Sequence, residues 1–275
     1  MAHPEFTFKP MLFGITLKTN MHVGTGGESY GIIDQAIQRD QATGFPCIYS
    51  SSLKGALKEF FKNYNNNDPN MIEYIFGQEA MEDDDDENKK ENKGKSKTAT
   101  PGHYRFMQAE LAAIPRPDEN SAYKLKTCEA LKDHFSGSTQ FFGINSAKFP
   151  NTLVFGNADV VTDAQFIEMV SDYQLPVVAR NSLENGQSAN LWYEQLLPRE
   201  SKMYFVILYP DYTLETNNDK KEKYMGFHKV FVQALNTHPV QIGANASVGY
   251  GFCKLKHIEL DGETKTDETK TTVNP

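Results

Sequence analysis

Apolar and polar residues alternate over Met11–Leu17 (MLFGITL), which sets Met11, Phe13, Ile15 and Leu17 on one side of an extended chain and predicts a half-buried strand. From Ser51 the spacing becomes helical. Leu53, Ala56, Leu57, Phe60, Phe61 and Tyr64 share a face, Ser51 and Ser52 offer N-caps, and Lys54, Lys58 and Lys62 form a separate stripe. Strands are read again at Tyr104–Ile114, Leu153–Val161, Met203–Tyr209 and Phe252–Leu260. The first two of these share an F-x-x-A-[ED] rhythm that hints at an internal duplication. Thr162–Tyr173 reads as a short helix with Phe166, Ile167 and Val170 inward. Lys223–Asn236 reads as a longer one, with Phe227, Val230, Phe231, Ala234 and Leu235 apolar. Leu175–Pro198, with Asn185-Gly186 as its turn signal, predicts an extended hairpin. Strand–helix–strand units with antiparallel-looking edges predict an α+β fold of the ferredoxin-like kind.

The pattern lapses over 65–101. Several asparagines lead into Asp68-Pro69, and no apolar residue stands between Asp83 and Lys97, so this stretch is expected to be a flexible acidic insertion. The 261–275 tail is expected to be flexible as well. The whole chain, 1–275, then reads as a single domain: 11–64 as first strand, glycine loop and helix, 175–198 as the hairpin, and 241–258 as a second glycine-rich loop and strand.

Charge changes the picture only once it is located. The net charge of −8 argues against nucleic acid, but Glu82–Lys97 holds seven acids and five bases, and Glu259–Pro275 five acids and two lysines. The remaining residues sum to −3, so a nearly neutral body is free to carry a basic groove. With 39% hydrophobic and 23% charged residues the composition is that of a globular protein, and no apolar run is long enough to span a membrane. Cys47, Cys128 and Cys253 are few and scattered, with no CxxC, which excludes a zinc ribbon and a disulfide framework. The opening MAHPEFTFKP has no basic n-region or apolar h-region, so the expected setting is cytoplasmic.

Common catalytic motifs are missing. Gly94-Lys95-Ser96 lacks the earlier glycine and the strand of a P-loop, HExxH does not occur, and there is neither a GxSxG elbow between a strand and a helix nor a GxGxxG opening a helix after a strand. Two glycine-rich loops remain, His22–Gly31 and Gly243–Gly251, either a pair of tight turns or a backbone surface offering N–H groups to phosphates beside Lys54.

With its surroundings the first loop becomes specific. The block His22 to Lys58, HVGTGGESYGIIDQAIQRDQATGFPCIYSSSLKGALK, resembles the opening of the RAMP proteins of CRISPR systems, with H-V-G-x-G, I-D, I-Q-R, T-G-x-P and S-S-L-K-G-A-L. It looks most like the backbone subunit of the type III-B (Cmr) effector complex, its fourth subunit. Lys126-Thr127-Cys128, Leu191-Trp192-Tyr193-Glu194 with Leu197-Pro198, and Gln241-Ile242-Gly243 leading to Gly249-Tyr250-Gly251 extend the likeness over roughly 11–258. Departures are local: Asp34-Gln35-Ala36-Ile37-Gln38-Arg39-Asp40 stands for D-L-P-I-Q-R-E, and Ala244 for a second glycine.

The resemblance implies a ferredoxin-like, RRM-like core with a glycine-rich loop, an inserted finger region and a β-hairpin thumb. It implies a metal-dependent endoribonuclease that works with Mg2+ or Mn2+ inside a multi-subunit complex. The partners implied are guide RNA, single-stranded target RNA, further copies in a filament and other type III-B subunits. Asp34 carries over as the residue required for cutting and as the metal ligand. His22 is the natural second group, because histidine exchanges a proton near neutrality, and Glu194 is a further acid–base candidate. Arg39, Lys54 and Lys58 are assigned to the guide backbone, with Gly243, Gly249, Tyr250 and Gly251 at the second loop. The thumb is implied to wedge between nucleotides and flip one out at regular spacing, which lets it reach in-line geometry. Two alternatives stay open: a guide-RNA scaffold that does not cut, and the equivalent subunit of a type III-A complex.

Overall fold

The computed structural model describes residues 8–26, 33–64, 68–78, 99–184 and 187–259. The acidic run 82–97, the 261–275 tail, residues 27–31 of the first glycine loop and the Asn185-Gly186 turn lie outside them.

β1 (Phe8–Leu17) is followed by β2 (Cys47–Ile48), α1 (Ser50–Asn63), α2 (Pro69–Phe76) and the small pair β3 (Gly77–Gln78) and β4 (Thr100–Pro101). Then come β5 (Arg105–Phe106), β6 (Ala109–Asp118), β7 (Ser121–Cys128), α3 (Glu129–Phe141), α4 (Thr152–Phe155), β8 (Asp159–Val161) and α5 (Asp163–Met169). The hairpin strands β9 (Val177–Glu184) and β10 (Gln187–Gln195) precede β11 (Lys202–Pro210), α6 (Asn218–Thr237), β12 (Val240–Gln241) and β13 (Phe252–Ile258).

The main sheet runs β12-β13-β1-β11-β6-β7-β8, with β2 added at β6 and β5 at β11. Within it β1–α1–β6 and β11–α6–β13 are two split β–α–β halves, interleaved as β13-β1-β11-β6 with every one of these pairings antiparallel. That is the ferredoxin-like arrangement. α1, α2 and α6 cover one face, joined by an aromatic seam in which Phe61 stacks on Phe231 at 5.1 Å and Phe76 on Phe106 at 5.3 Å. α3 and α4 cover the other, where Phe135 meets Tyr204 at 4.8 Å and Phe155 at 5.4 Å.

Two covered faces explain where the alternating pattern misleads. Met11, Leu12, Phe13, Gly14 and Ile15 are all buried, because β1 lies mid-sheet and α4 closes over its second face, so β1 is not half-buried. The expected 104–114 strand is broken after Phe106, where Met107 N–H turns to Val206 O, and resumes in β6. The expected 153–161 strand is α4 followed by the short β8; Gly156, at φ 65°, separates them, and no duplication survives. Ile167 faces solvent rather than the core. The α1 N-cap is Tyr49, two residues before the first of the expected serines, and no side chain caps it. Part of 65–101 is ordered too: α2, capped by Asp68 and begun by Pro69, buries Met71, Ile75 and Phe76.

The three cysteines are free and buried, and burial pushes Cys47 and Cys253 up to about 12 and Cys128 to about 11, so they act as small apolar residues. No helix among the described residues is long and apolar enough to cross a membrane.

Behind the aromatic seam, Tyr104 Oη lies 3.0 Å from His228 Nδ1 and 2.9 Å from Tyr212 Oη. Burial, then the neighbouring His257, pushes His228 down to about 4 from an ordinary 6.5. An unfolded chain takes up that proton from about pH 6.5 downward, whereas the folded chain refuses it until about pH 4. Stability therefore falls as pH falls through this window, by up to about 3 kcal/mol. The urea midpoint of the protein is expected to drop between pH 7 and 4.5, and His228→Gln to flatten that drop; equal slopes would remove His228 as its source.

Candidate nucleic-acid interface at the root of the hairpin

Residues 33–40 run as an irregular strand between the first glycine loop and the hairpin. Ile37 bridges Gly24, Arg39 bridges Pro46, and Gln35 bridges Glu194 in parallel. Three consecutive residues of β10 thereby meet the three residues singled out for chemistry. Tyr193 N–H donates to Asp34 Oδ2 at 2.8 Å, Glu194 is itself the second, and Gln195 O lies 2.8 Å from His22 Nδ1. Residues distant in sequence are drawn together by one strand end.

Asp34 is the exposed member of this group. Tyr193 fixes one carboxylate oxygen, and among the described residues Oδ1 takes no hydrogen bond. No three His, Cys, Asp or Glu side chains converge on a metal position among the described residues. Asp34 Oδ1 would be the one protein ligand a cation finds here, and a lone carboxylate oxygen suits only a hard cation that takes the rest of its ligands from elsewhere.

His22 and Glu194 sit differently from what the sequence led us to expect. His22 is 2% exposed. A carbonyl can only accept, so Nδ1 carries the proton toward Gln195 O, while Nε2 packs over Gly24. Glu194 is 4% exposed and fully engaged. Oε1 accepts from Trp192 Nε1 at 2.8 Å, and Oε2 accepts from Arg180 Nε at 3.1 Å and Asn245 Nδ2 at 2.8 Å. Both tie the hairpin to the two glycine loops; both Glu194 oxygens are taken, whereas His22 keeps Nε2 without a hydrogen bond among the described residues.

Arg39 is also engaged: Nη1 donates to Gly44 O and Nη2 to Asp172 Oδ1, at 2.9 and 2.8 Å. These bonds use two of its five N–H donors, so the guide contact expected of it would fall to the others. Lys54 and Lys58 are half-buried on the first turns of α1. Tyr49 Oη donates to Arg39 O, and Ser52 Oγ accepts from Gln38 Nε2, so neither side chain closes the helix start. The first-turn amides are left beside exposed Ser50 and Ser51, a geometry suited to a phosphate.

The second loop is glycine-rich mainly for the protein's own reasons. A Cβ on Gly243 would overlap His22 O, and one on Gly251 would overlap Ile242 O, both at positive φ. Gly251 is buried, so the close approach it allows is to protein backbone and not to RNA. Gly249 and Tyr250 are half-buried, and the Tyr250 ring carries the Arg180 guanidinium at 4.8 Å.

Several residues that build the site gave little sign in the sequence. Gln38, Asp172, Arg180 and Asn245 are ordinary polar residues, and the partners of Asp172 and Asn245 lie far along the chain. Arg180 matters most: it pairs with Trp192 across the hairpin, binds Glu194, and keeps Nη2 buried without a partner. The register gives the hairpin two unlike faces. Trp192, Glu194 and Arg180 turn toward the second loop, whereas Val177, Leu191 and Tyr193 point the other way, 41%, 55% and 39% exposed. The period of two alone could have announced this division.

The family model for the RAMP superfamily matches residues 14–254. The CRISPR system Cmr endoribonuclease Cmr4 of Pyrococcus furiosus is 26% identical, over 93% of this chain and 99% of the relative. Among solved structures, a chain of the type III-B Cmr-beta complex bound to cognate target RNA superposes with a TM-score of 0.67 at 19% identity, over 92% of this chain and 98% of that one. Oligomeric Cmr4 from Pyrococcus furiosus superposes with a TM-score of 0.64 at 20% identity, over 92% and 99%.

Proposed function

The chain belongs to the RAMP superfamily, and from that premise we propose that it is the backbone subunit of a type III-B CRISPR RNA-guided complex, holding guide RNA and cutting complementary target RNA at regular spacing. The observation that carries this reading is Asp34: an exposed carboxylate, aimed by a backbone N–H, at the root of a hairpin with one apolar exposed face. The Cmr4 relative's name as an endoribonuclease supports the same activity here.

Guide RNA lies along the α1 amino terminus and the second glycine loop, where open amides, Lys54 and Lys58 meet its phosphates. Base pairing reads the target, and the protein reads backbone and shape. The exposed face of the hairpin, Val177, Leu191 and Tyr193, unstacks a nucleotide and brings its 2′-hydroxyl in line with the neighbouring phosphate. Asp34 Oδ1 accepts the hydrogen bond of that hydroxyl and orients it. As the oxygen attacks phosphorus its proton passes to Asp34 Oδ1, the P–O5′ bond breaks and the departing O5′ takes a proton from water, leaving a 2′,3′-cyclic phosphate and a 5′-hydroxyl. A Mg2+ or Mn2+ shared between Asp34 and the phosphate would supply charge neutralisation. Copies stacked head to tail share one guide, so each needs only a few phosphate contacts.

The burial of His22 and Glu194 favours a second reading, a scaffold that holds RNA without cutting it. One experiment separates the two. The chain is assembled with its companion subunits and a guide and given complementary RNA; fragments at a fixed interval, moving with the guide, are expected. Tyr193→Ala keeps the backbone N–H on Asp34 but removes the ring, and Leu191→Asp spoils the apolar face. Each is expected to slow cutting about tenfold or more with guide retention intact, stacking being worth about 1–3 kcal/mol per base. Unchanged rates in both would remove the wedge, and intact target throughout would favour the scaffold.

A further inference from the structure

Away from the hairpin, where α2 and α6 meet the strand entering β5, three rings stand in a column. His103 lies on Tyr74 at 4.3 Å and 21°, and Tyr74 on Tyr224 at 4.1 Å and 10°. The column is rigid for identifiable reasons: His103 N–H donates to Tyr74 O at 2.8 Å, which locks the strand to the end of α2. Tyr224 comes from α6 and is flanked by Phe227 and Tyr212. Both faces of Tyr74 are therefore covered, while His103 ends the column and is exposed.

Internal packing does not account for that open face. Burial, then the nearby Arg105, holds His103 below the ordinary histidine range, so its ring is neutral at pH 7 and stacks without a charge to hydrate. Arg105, two residues on, is exposed too. Its Nη1 is anchored by Gly102 O and Tyr104 O, and among the described residues no carboxylate pairs with it. His103 stands at a bend just before β5 and Arg105 is the first residue of that strand, which sets the ring and the guanidinium two residues apart at one corner of the surface. No hydrogen bond or ring contact joins this cluster to the hairpin among the described residues, so it is not part of the site around Asp34.

We propose that the outer face of His103, backed by Tyr74 and Tyr224, seats one unpaired base of single-stranded RNA, with Arg105 on its phosphate. The inference rests on the reading of the chain as RNA-binding, and it adds a contact outside the guide–target duplex. A stacked ring with one cation accepts any base, so the seat tolerates all sequences.

The test uses the full chain and the assembled complex with a short single-stranded oligouridine carrying 5-iodouridine as probe. Photo-crosslinks at residues 103–105 are expected. His103→Ala should weaken binding about five- to a hundredfold, His103→Phe should restore it, and Arg105→Gln should lower the salt slope by about 0.7. Wild-type binding by both His103→Ala and Arg105→Gln, or no crosslink near residue 103, would overturn the proposal. If guided cutting persists alongside that result, only this inference falls. A complex that never cuts guided target yet crosslinks at His103 would sink the functional reading and leave this one standing.

Discussion

Asp34→Asn is expected to stop target cutting, by a hundredfold at the least, while target affinity stays as it was. The substitution is nearly isosteric. The amide oxygen still accepts from Tyr193 N–H, so the 33–40 strand and β10 keep their bridge. What is lost is the negative oxygen facing solvent, which in the proposed mechanism orients the 2′-hydroxyl. General-base and positioning losses of this kind are worth about 10²–10⁴ in rate. His22 and Glu194 are buried while Asp34 is exposed, so neither offers a second carboxylate in its place. Single-turnover cleavage beside filter binding reads both quantities. Equal cutting by variant and wild type would move the active site elsewhere, and weakened binding would make Asp34 a contact rather than a catalyst.

The second large effect is expected at Glu194. Glu194→Ala removes the acceptor for Trp192 Nε1, Asn245 Nδ2 and Arg180 Nε at once, and leaves the Arg180 cation, 20% exposed, without its anion. Breaking one half of a buried ion pair costs about 3–5 kcal/mol. Glu194→Gln retains size and acceptor oxygen and should cost clearly less. The hairpin root and the second loop should loosen together in the alanine variant, seen as a lower unfolding midpoint and faster amide exchange over 177–195 and 243–251. A proton-transfer role predicts the opposite order: Glu194→Gln would keep full stability and lose cutting. That outcome would return Glu194 to the chemistry.

The contrast between these residues shows what the sequence could carry. β11 and α6 were plain because a continuous β-branched and aromatic run, and a helical apolar face, need no knowledge of partners. The hairpin was legible from its length and turn residues, and Asp34 from a motif. The surroundings of Asp34 were not. Arg39 looked like a free cation until Asp172, over a hundred residues later, was found against it. Gly251 looked like a ligand-facing glycine until Ile242 O was found where its side chain would be. β7 and α3 went unread because exposed Ser121–Lys124 and a polar helix surface hide the few residues, such as Leu131 and Phe135, that anchor them. Local pattern reports burial; it does not report which distant group does the burying.

The interleaving of the two halves has a consequence for how the protein is made. β1 is synthesised first, yet its partners are β11, where Phe8 meets Pro210, and β13, where Leu12 meets Ile258. At about 5–20 residues per second, roughly 10–50 s pass between the ribosome's release of the first strand and that of the last. Until β11 is made this largely apolar strand has no edge to join, and closing it demands long loops before any contact rewards them. The nascent chain is thus an aggregation hazard until its final residues emerge, and its yield in the cell should depend on chaperone capacity and on slower synthesis at low temperature far more than the stability of the finished fold would suggest.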